Sequence, residues 1–186
     1  MKPFIATRNQ SPFALAQHAA LLVFFTVGTS LFAAGQSPEH AAPAKLVQIV
    51  RDSTSQYIDV NNATAAGYGP FLGCVSGSDH GAMGIHYVNL ALVGDGLIDA
   101  THPEALIYEP SNGKMRLVGV EFIVDAATWL KSHGGAPVLE GQTFLLVDSP
   151  NRYSLQPFFE LHVWAWRDNP QGAFVDWNNR VSCEGQ

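Results

Sequence analysis

The chain has 186 residues, about one domain's worth, and is 47% hydrophobic, 11% aromatic and 14% charged. Such a composition can bury a core large enough to offset chain entropy, which excludes a disordered, collagen-like or coiled-coil protein. Lys and Arg number 10 against 16 Asp and Glu, a formal charge of −6 with no basic run to neutralise phosphates, so nucleic acid is not an expected partner.

Residues 1–35 read as a secretory signal peptide. Lys2 and Arg8 precede an apolar stretch running from Ala19 through Phe25 to Leu31, and the small residues Ala33, Ala34 and Gly35 follow. The apolar run is short for a bilayer span and is weakened by Gly28, Thr29 and Ser30, so no stable membrane insertion is expected after cleavage. Residues 36–186 are then a single globular domain, periplasmic or secreted. In that oxidising setting Cys74 and Cys183 most simply form one disulfide. The loop it closes is long, and the chain-entropy model gives about 4 to 5 kcal/mol for it. Spacing supports neither a Cys nucleophile nor a pair of thiolate ligands.

From Pro43 onward, Leu46, Ile49, Val50, Tyr57 and Val60 recur at helical spacing until Gly67 offers a stop. That stripe predicts one amphipathic helix covering a sheet. After Gly69-Pro70, short apolar runs broken by Gly, Pro, Asn and Asp predict strands near 83–89, 105–109, 116–124, 138–147, 158–167 and 173–177, with a short helix over 126–132. The expected class is α+β, one N-terminal amphipathic helix packed on a mainly antiparallel sheet or small β-barrel.

Asn112-Gly113 is the preferred pair for a two-residue hairpin turn. An uninterrupted register from that turn opposes Ser111 to Lys114, Glu109 to Arg116, Tyr108 to Leu117 and Glu104 to Glu121. It places Leu106, Tyr108, Leu117, Glu121 and Ile123 on one face and Ile107, Glu109, Arg116, Val118 and Val120 on the other. Glu109 gains Arg116 as a cross-strand partner. Glu121 has none, and an unpaired carboxylate inside an apolar strand needs a cation, a proton or a donor. Two facing carboxylates, Glu104 and Glu121, repel unless a cation or proton lies between them, and Glu104 is a candidate general acid or base.

The stretch Phe158 to Trp166 alternates strongly. Phe158, Glu160, His162, Trp164 and Trp166 fall on one face, a carboxylate and an imidazole among aromatic rings, as in a half-open pocket. Trp164, Trp166 and Tyr108 are the candidate pocket walls, and Glu160 is a second candidate proton carrier. A plain sheet surface in which the indoles merely cover His162 is the other reading. His80 and His86 lie in Asp79-His80-Gly81-Ala82-Met83-Gly84-Ile85-His86, where glycines allow close backbone approach to an ion. Imidazoles and a carboxylate gathered from different strands are the usual set for Zn, Fe, Mn or Cu. The candidate ligands of one divalent transition metal are therefore His80, His86, Glu121 and His162. Asp95 and Asp99 lack the ligand count of a calcium loop and read as turn residues. No nucleophile elbow, phosphate loop, dinucleotide fingerprint, His-Glu-x-x-His or Cys-x-x-Cys occurs.

The order Tyr57-x-Asp59-Val60, Ala65-Ala66-Gly67-Tyr68, Met83-Gly84-Ile85-His86-Tyr87-Val88-Asn89, Pro103-Glu104-Ala105-Leu106-Ile107-Tyr108-Glu109-Pro110 and Leu161-His162-Val163-Trp164 resembles an uncharacterised family of exported bacterial α+β proteins. That resemblance implies export and attaches no activity. A weaker likeness to cupin-type metal barrels is limited by spacing, since His80 and His86 are too far apart for an adjacent His-x-His and Glu121 comes too late. The expected function is an exported domain that binds a metal at an aromatic-lined pocket and acts on, or binds, a small molecule. The alternative is a metal-free envelope protein whose Trp164 and Trp166 face takes an apolar ligand or protein partner.

Overall fold

A computed structural model describes residues 44–185, so the signal-peptide reading of 1–35 and the helix start at Pro43 lie outside the described residues. The helical region runs as α1 (Lys45–Thr54), a 3-10 turn (Ser55–Ile58) and α2 (Val60–Ala65), and the single helix expected through to Gly67 is broken. Asp59 accounts for the break, because its side chain accepts the Asn61 N–H and starts α2 afresh. The Thr54 hydroxyl donates back to the Val50 carbonyl at 2.6 Å in the last turn of α1. Leu46, Val47 and Val50 point into the core. Among the described residues no helix is long and apolar enough to cross a membrane.

The sheet is built from β1 (Gly69–Gly77), β2 (Gly81–Val88), β3 (Ala105–Ser111), β4 (Lys114–Asp125), β7 (Leu145–Val147) and β8 (Phe158–Val163), in the order β1-β2-β3-β4-β8-β7 with every pairing antiparallel. It curls into a half-barrel. Two short helices, α3 (Leu90–Val93) and α4 (Ala126–Leu130), and a ribbon of β5 (Val138–Leu139) and β6 (Gln142–Thr143), complete the α+β fold. The strand expected over 138–147 is interrupted by Glu140-Gly141, both at positive φ. The strand expected over 173–177 has no ladder and is a loop, held where Trp164 N–H donates to Ala173 O and Trp164 Nε1 to Val175 O. Strand β1 escapes the alternation rule, since Pro70 and the positive-φ pair Leu72 and Gly73 interrupt it with a bulge.

Asn112 and Gly113 make the expected turn, with φ of 51° and 72°, and Ser111↔Lys114, Glu109↔Arg116 and Tyr108↔Leu117 pair as read from it. The register then slips. Ile107 opposes Gly119, Val118 is the extra residue, and Ala105 rather than Glu104 faces Glu121. Gly119 is required here, because a Cβ on it would meet the Val163 carbonyl oxygen at 2.8 Å. The bulge corrects the expected faces. Leu117 and Val120 both join the helix-side core with Leu106, Tyr108, Phe122, Leu161 and Val163. Val118 packs on the opposite face with Ile107, Trp164 and Val181, and Glu121 shares that face rather than Leu117's.

Cys74 and Cys183 form the disulfide, 109 residues apart in sequence. The tail it anchors is fixed a second time by Glu109, which accepts from Arg116 Nη2 at 2.7 Å and from Ser182 N–H at 3.0 Å.

Candidate metal centre

Three strands deliver the site. His162 on β8 is the direct cross-strand partner of Glu121 on β4, and His86 on β2 reaches them across β3. His86 Nε2 lies 3.2 Å from Glu121 Oε2 and 3.5 Å from His162 Nε2. Ligand atoms around a tetrahedral ion with bonds of about 2.1 Å are about 3.4 Å apart, close to both spacings from His86 Nε2, and all three ligand atoms lie within 4.8 Å of one another. The three residues are 8%, 5% and 1% exposed, respectively for His86, Glu121 and His162, so bulk water does not compete for their donor atoms.

Burial also decides protonation. His86 is pushed down to about 4 and His162 well below the ordinary imidazole value, the latter helped by His86 beside it. Both rings are therefore neutral and able to ligate at pH 7. Burial raises the Glu121 carboxyl well above its usual range, with Glu160 adding like charge and a hydrogen bond. The same burial lifts Glu160 to about 7. Both shifts favour the protonated carboxyls in the metal-free protein, and a bound cation would favour the charged forms instead.

Asp176, in the loop after β8, approaches the far side of the ring, its Oδ1 3.7 Å from His162 Nδ1. Glu160, His162 and Asp176 form a second group whose ligand atoms all lie within 4.8 Å of one another, as do those of His86, Glu121 and His162. Buried His, Glu and Asp groups thus can hold a metal ion.

The structure brings His86, Glu121, His162 and Glu160 together and leaves the other candidates elsewhere. His80 is exposed in the β1–β2 turn beside Trp177, because it precedes β2 and six residues of extended chain, at about 3.3 Å each, separate it from His86. Glu104 does not face Glu121. Its Oε2 accepts the Ile123 N–H at 2.9 Å, which extends the β3–β4 ladder, and burial is the main cause lifting its carboxyl to about 7. Tyr108 is on the helix side, donating its hydroxyl to Tyr57 O. Trp166 is there too, its Nε1 on Thr54 Oγ1, because β8 ends at Val163 and the Trp166 and Arg167 N–H groups both turn onto the Val118 carbonyl. Trp164 alone of the three keeps the expected face, stacked 6.1 Å from His162.

A cavity of about 200 Å³ opens onto the cluster, with His86 and Glu121 at its polar end and Phe71, Val88, Ile123, Leu155 and Phe158 among its apolar walls. These walls come from β1, β2, β4 and the approach to β8, not from the indoles. Sequence reasoning placed Phe158 on the pocket face and Ile123 on the face of Glu121, but it missed Phe71, Val88 and Leu155, and it missed Asp176. Asp176 sits in a loop whose position depends on long-range Trp164 hydrogen bonds, so spacing carries no sign of it. No family model, curated protein or solved structure matches this chain.

Proposed function

We propose that the protein is an exported metal-binding domain in which His86 Nε2, Glu121 and His162 Nε2 hold one divalent transition metal, Zn, Fe, Mn or Cu, at the inner end of an apolar pocket. The observation that carries this reading is the convergence of three buried ligand atoms from three strands, with separations of 3.2 and 3.5 Å from His86 Nε2. No Lys or Arg among the described residues forms an ion pair with Glu121, Glu160 or Asp176, so a cation is the partner these carboxylates lack. Three protein ligands leave a coordination position free, and the pocket leads a small, largely apolar molecule towards it. A metal there would polarise such a substrate or activate water. The Cys74–Cys183 disulfide and the reading of residues 1–35 support export.

Elemental analysis of protein purified without a metal-affinity tag tests the reading. Stoichiometric metal in the parent, lost in Glu121→Gln and in His162→Ala, supports it. A metal-free parent that takes up none from added Zn2+ contradicts it and favours the alternative, a metal-free protein binding an apolar ligand in the same pocket.

A further inference from the structure

We propose that His162 bridges two cations, the second held between its Nδ1, Asp176 and Glu160 on the side away from the apolar pocket. This rests on the reading above, since the bridge needs the first ion on Nε2. His162 Nδ1 is a fully buried nitrogen with no hydrogen-bond partner among the described residues. A buried polar atom left unsatisfied is costly, and its nearest acid, Asp176 Oδ1 at 3.7 Å, is beyond hydrogen-bond reach. That distance is the spacing of two ligands flanking one ion with bonds of about 2.0 to 2.2 Å.

The donors of this second group arrive independently. Glu160 stands two residues before His162 on β8, on the same face of the strand. Asp176 comes from the loop tied down by Trp164 through the carbonyls of Ala173 and Val175. Access differs as well. Asp176 lines a groove with His80, Gln171 and Trp177, whereas His86 and Glu121 end the apolar pocket. One ion therefore enters from each side of the imidazole.

Charge favours the pair. One dication on Glu121 leaves Glu160 and Asp176 to be neutralised by protons. Two dications are balanced by three carboxylates and a bridging imidazolate, whose remaining proton passes to solvent when the second ion binds. Imidazole and carboxylate donors point to Zn2+ or Cu2+.

Titration of the metal-free protein with Zn2+, counted by native mass spectrometry, tests the bridge. The parent takes up two ions per chain. Asp176→Asn and Glu160→Gln retain the first and bind the second about 10- to 100-fold more weakly. Cu2+ gives a readout that needs no variant, because two copper ions sharing an imidazolate couple magnetically. The paramagnetic resonance signal seen at one equivalent then falls as the second is added, whereas it doubles if the ions are independent. Saturation at one ion, unchanged in Asp176→Asn, overturns the bridge and leaves the first site standing. Uptake of no ion overturns both. Two ions bound undiminished by both variants overturn the ligands assigned here.

Discussion

Glu121 sits where an apolar strand would ordinarily place a valine, and the energetics of the site follow from that one side chain. In the metal-free protein burial, then the neighbouring Glu160, raise its carboxyl well above 4.5 and so favour the protonated form. Glu104 and Glu160 are lifted to about 7, mainly by burial. A carboxyl raised in the folded state contributes stability below its ordinary value and loses it as pH rises through the folded one. His86, lowered from 6.5 to about 4, acts in the opposite sense, contributing above 6.5 and losing it as pH falls towards 4. Above about pH 6.5 the imidazoles no longer offset the carboxyls, so the metal-free protein should melt at a lower temperature at pH 8 than at pH 6.5, with at most about 1.4 kcal/mol per pH unit for each group still titrating. Glu121→Gln, a neutral isostere, should flatten that slope. A melting temperature that is level or rising across this range in the parent would contradict a buried, protonated Glu121. The need for a partner at Glu121 was legible from its neighbours. Asp176 was not, because nothing local to a loop acid says which strand it will meet.

At the scale of elements, the Asn112-Gly113 turn set the hairpin register for its first pairs, since positive φ at both residues is a local requirement that the sequence states openly. The slip at Val118 was hidden. A bulge leaves only a glycine inside an apolar strand, and Gly119 has many possible reasons to be there. That single extra residue decides the face of Glu121, which is why Tyr108 and Leu117 were wrongly grouped with it. Gly119→Ala should destabilise the fold by about 1 to 3 kcal/mol, because its Cβ has no room against Val163 O. Gly84→Ala should cost at least as much, since φ there is +100° and the Cβ would lie 2.7 Å from Tyr108 O. Denaturant unfolding measures both, and an alanine at either position as stable as the parent would contradict the bulged geometry. The strand from Phe158 illustrates the same limit. Its alternation held through Trp164 and failed at Trp166, where the chain leaves the ladder for Val118 O.

For the whole molecule, the half-barrel separates two interiors. The helix side is an apolar core of aliphatic and aromatic residues, and the other side carries the buried polar cluster and, separately, a small apolar layer of Ala82, Ile107, Val118 and Trp164 covered by Val181 and Cys183 of the disulfide-anchored tail. Two cysteines in one domain expected to be exported were enough to read the bridge, whereas its consequence, a lid over the Val118 and Trp164 layer, needed the fold. Replacing both Cys74 and Cys183 by Ala should lower stability by about 4 kcal/mol on the chain-entropy model, measured by denaturant unfolding beside the reduced parent. A loss under about 1 kcal/mol would mean that Glu109 and its contacts hold the tail alone.

Crystals of the protein soaked in Zn2+ and measured at the zinc absorption edge would locate the ion itself. The expected result is an anomalous peak within about 2.0 to 2.2 Å of His86 Nε2, His162 Nε2 and a Glu121 carboxylate oxygen. Zinc found only on surface side chains, with none between His86, Glu121 and His162, would contradict the metal centre.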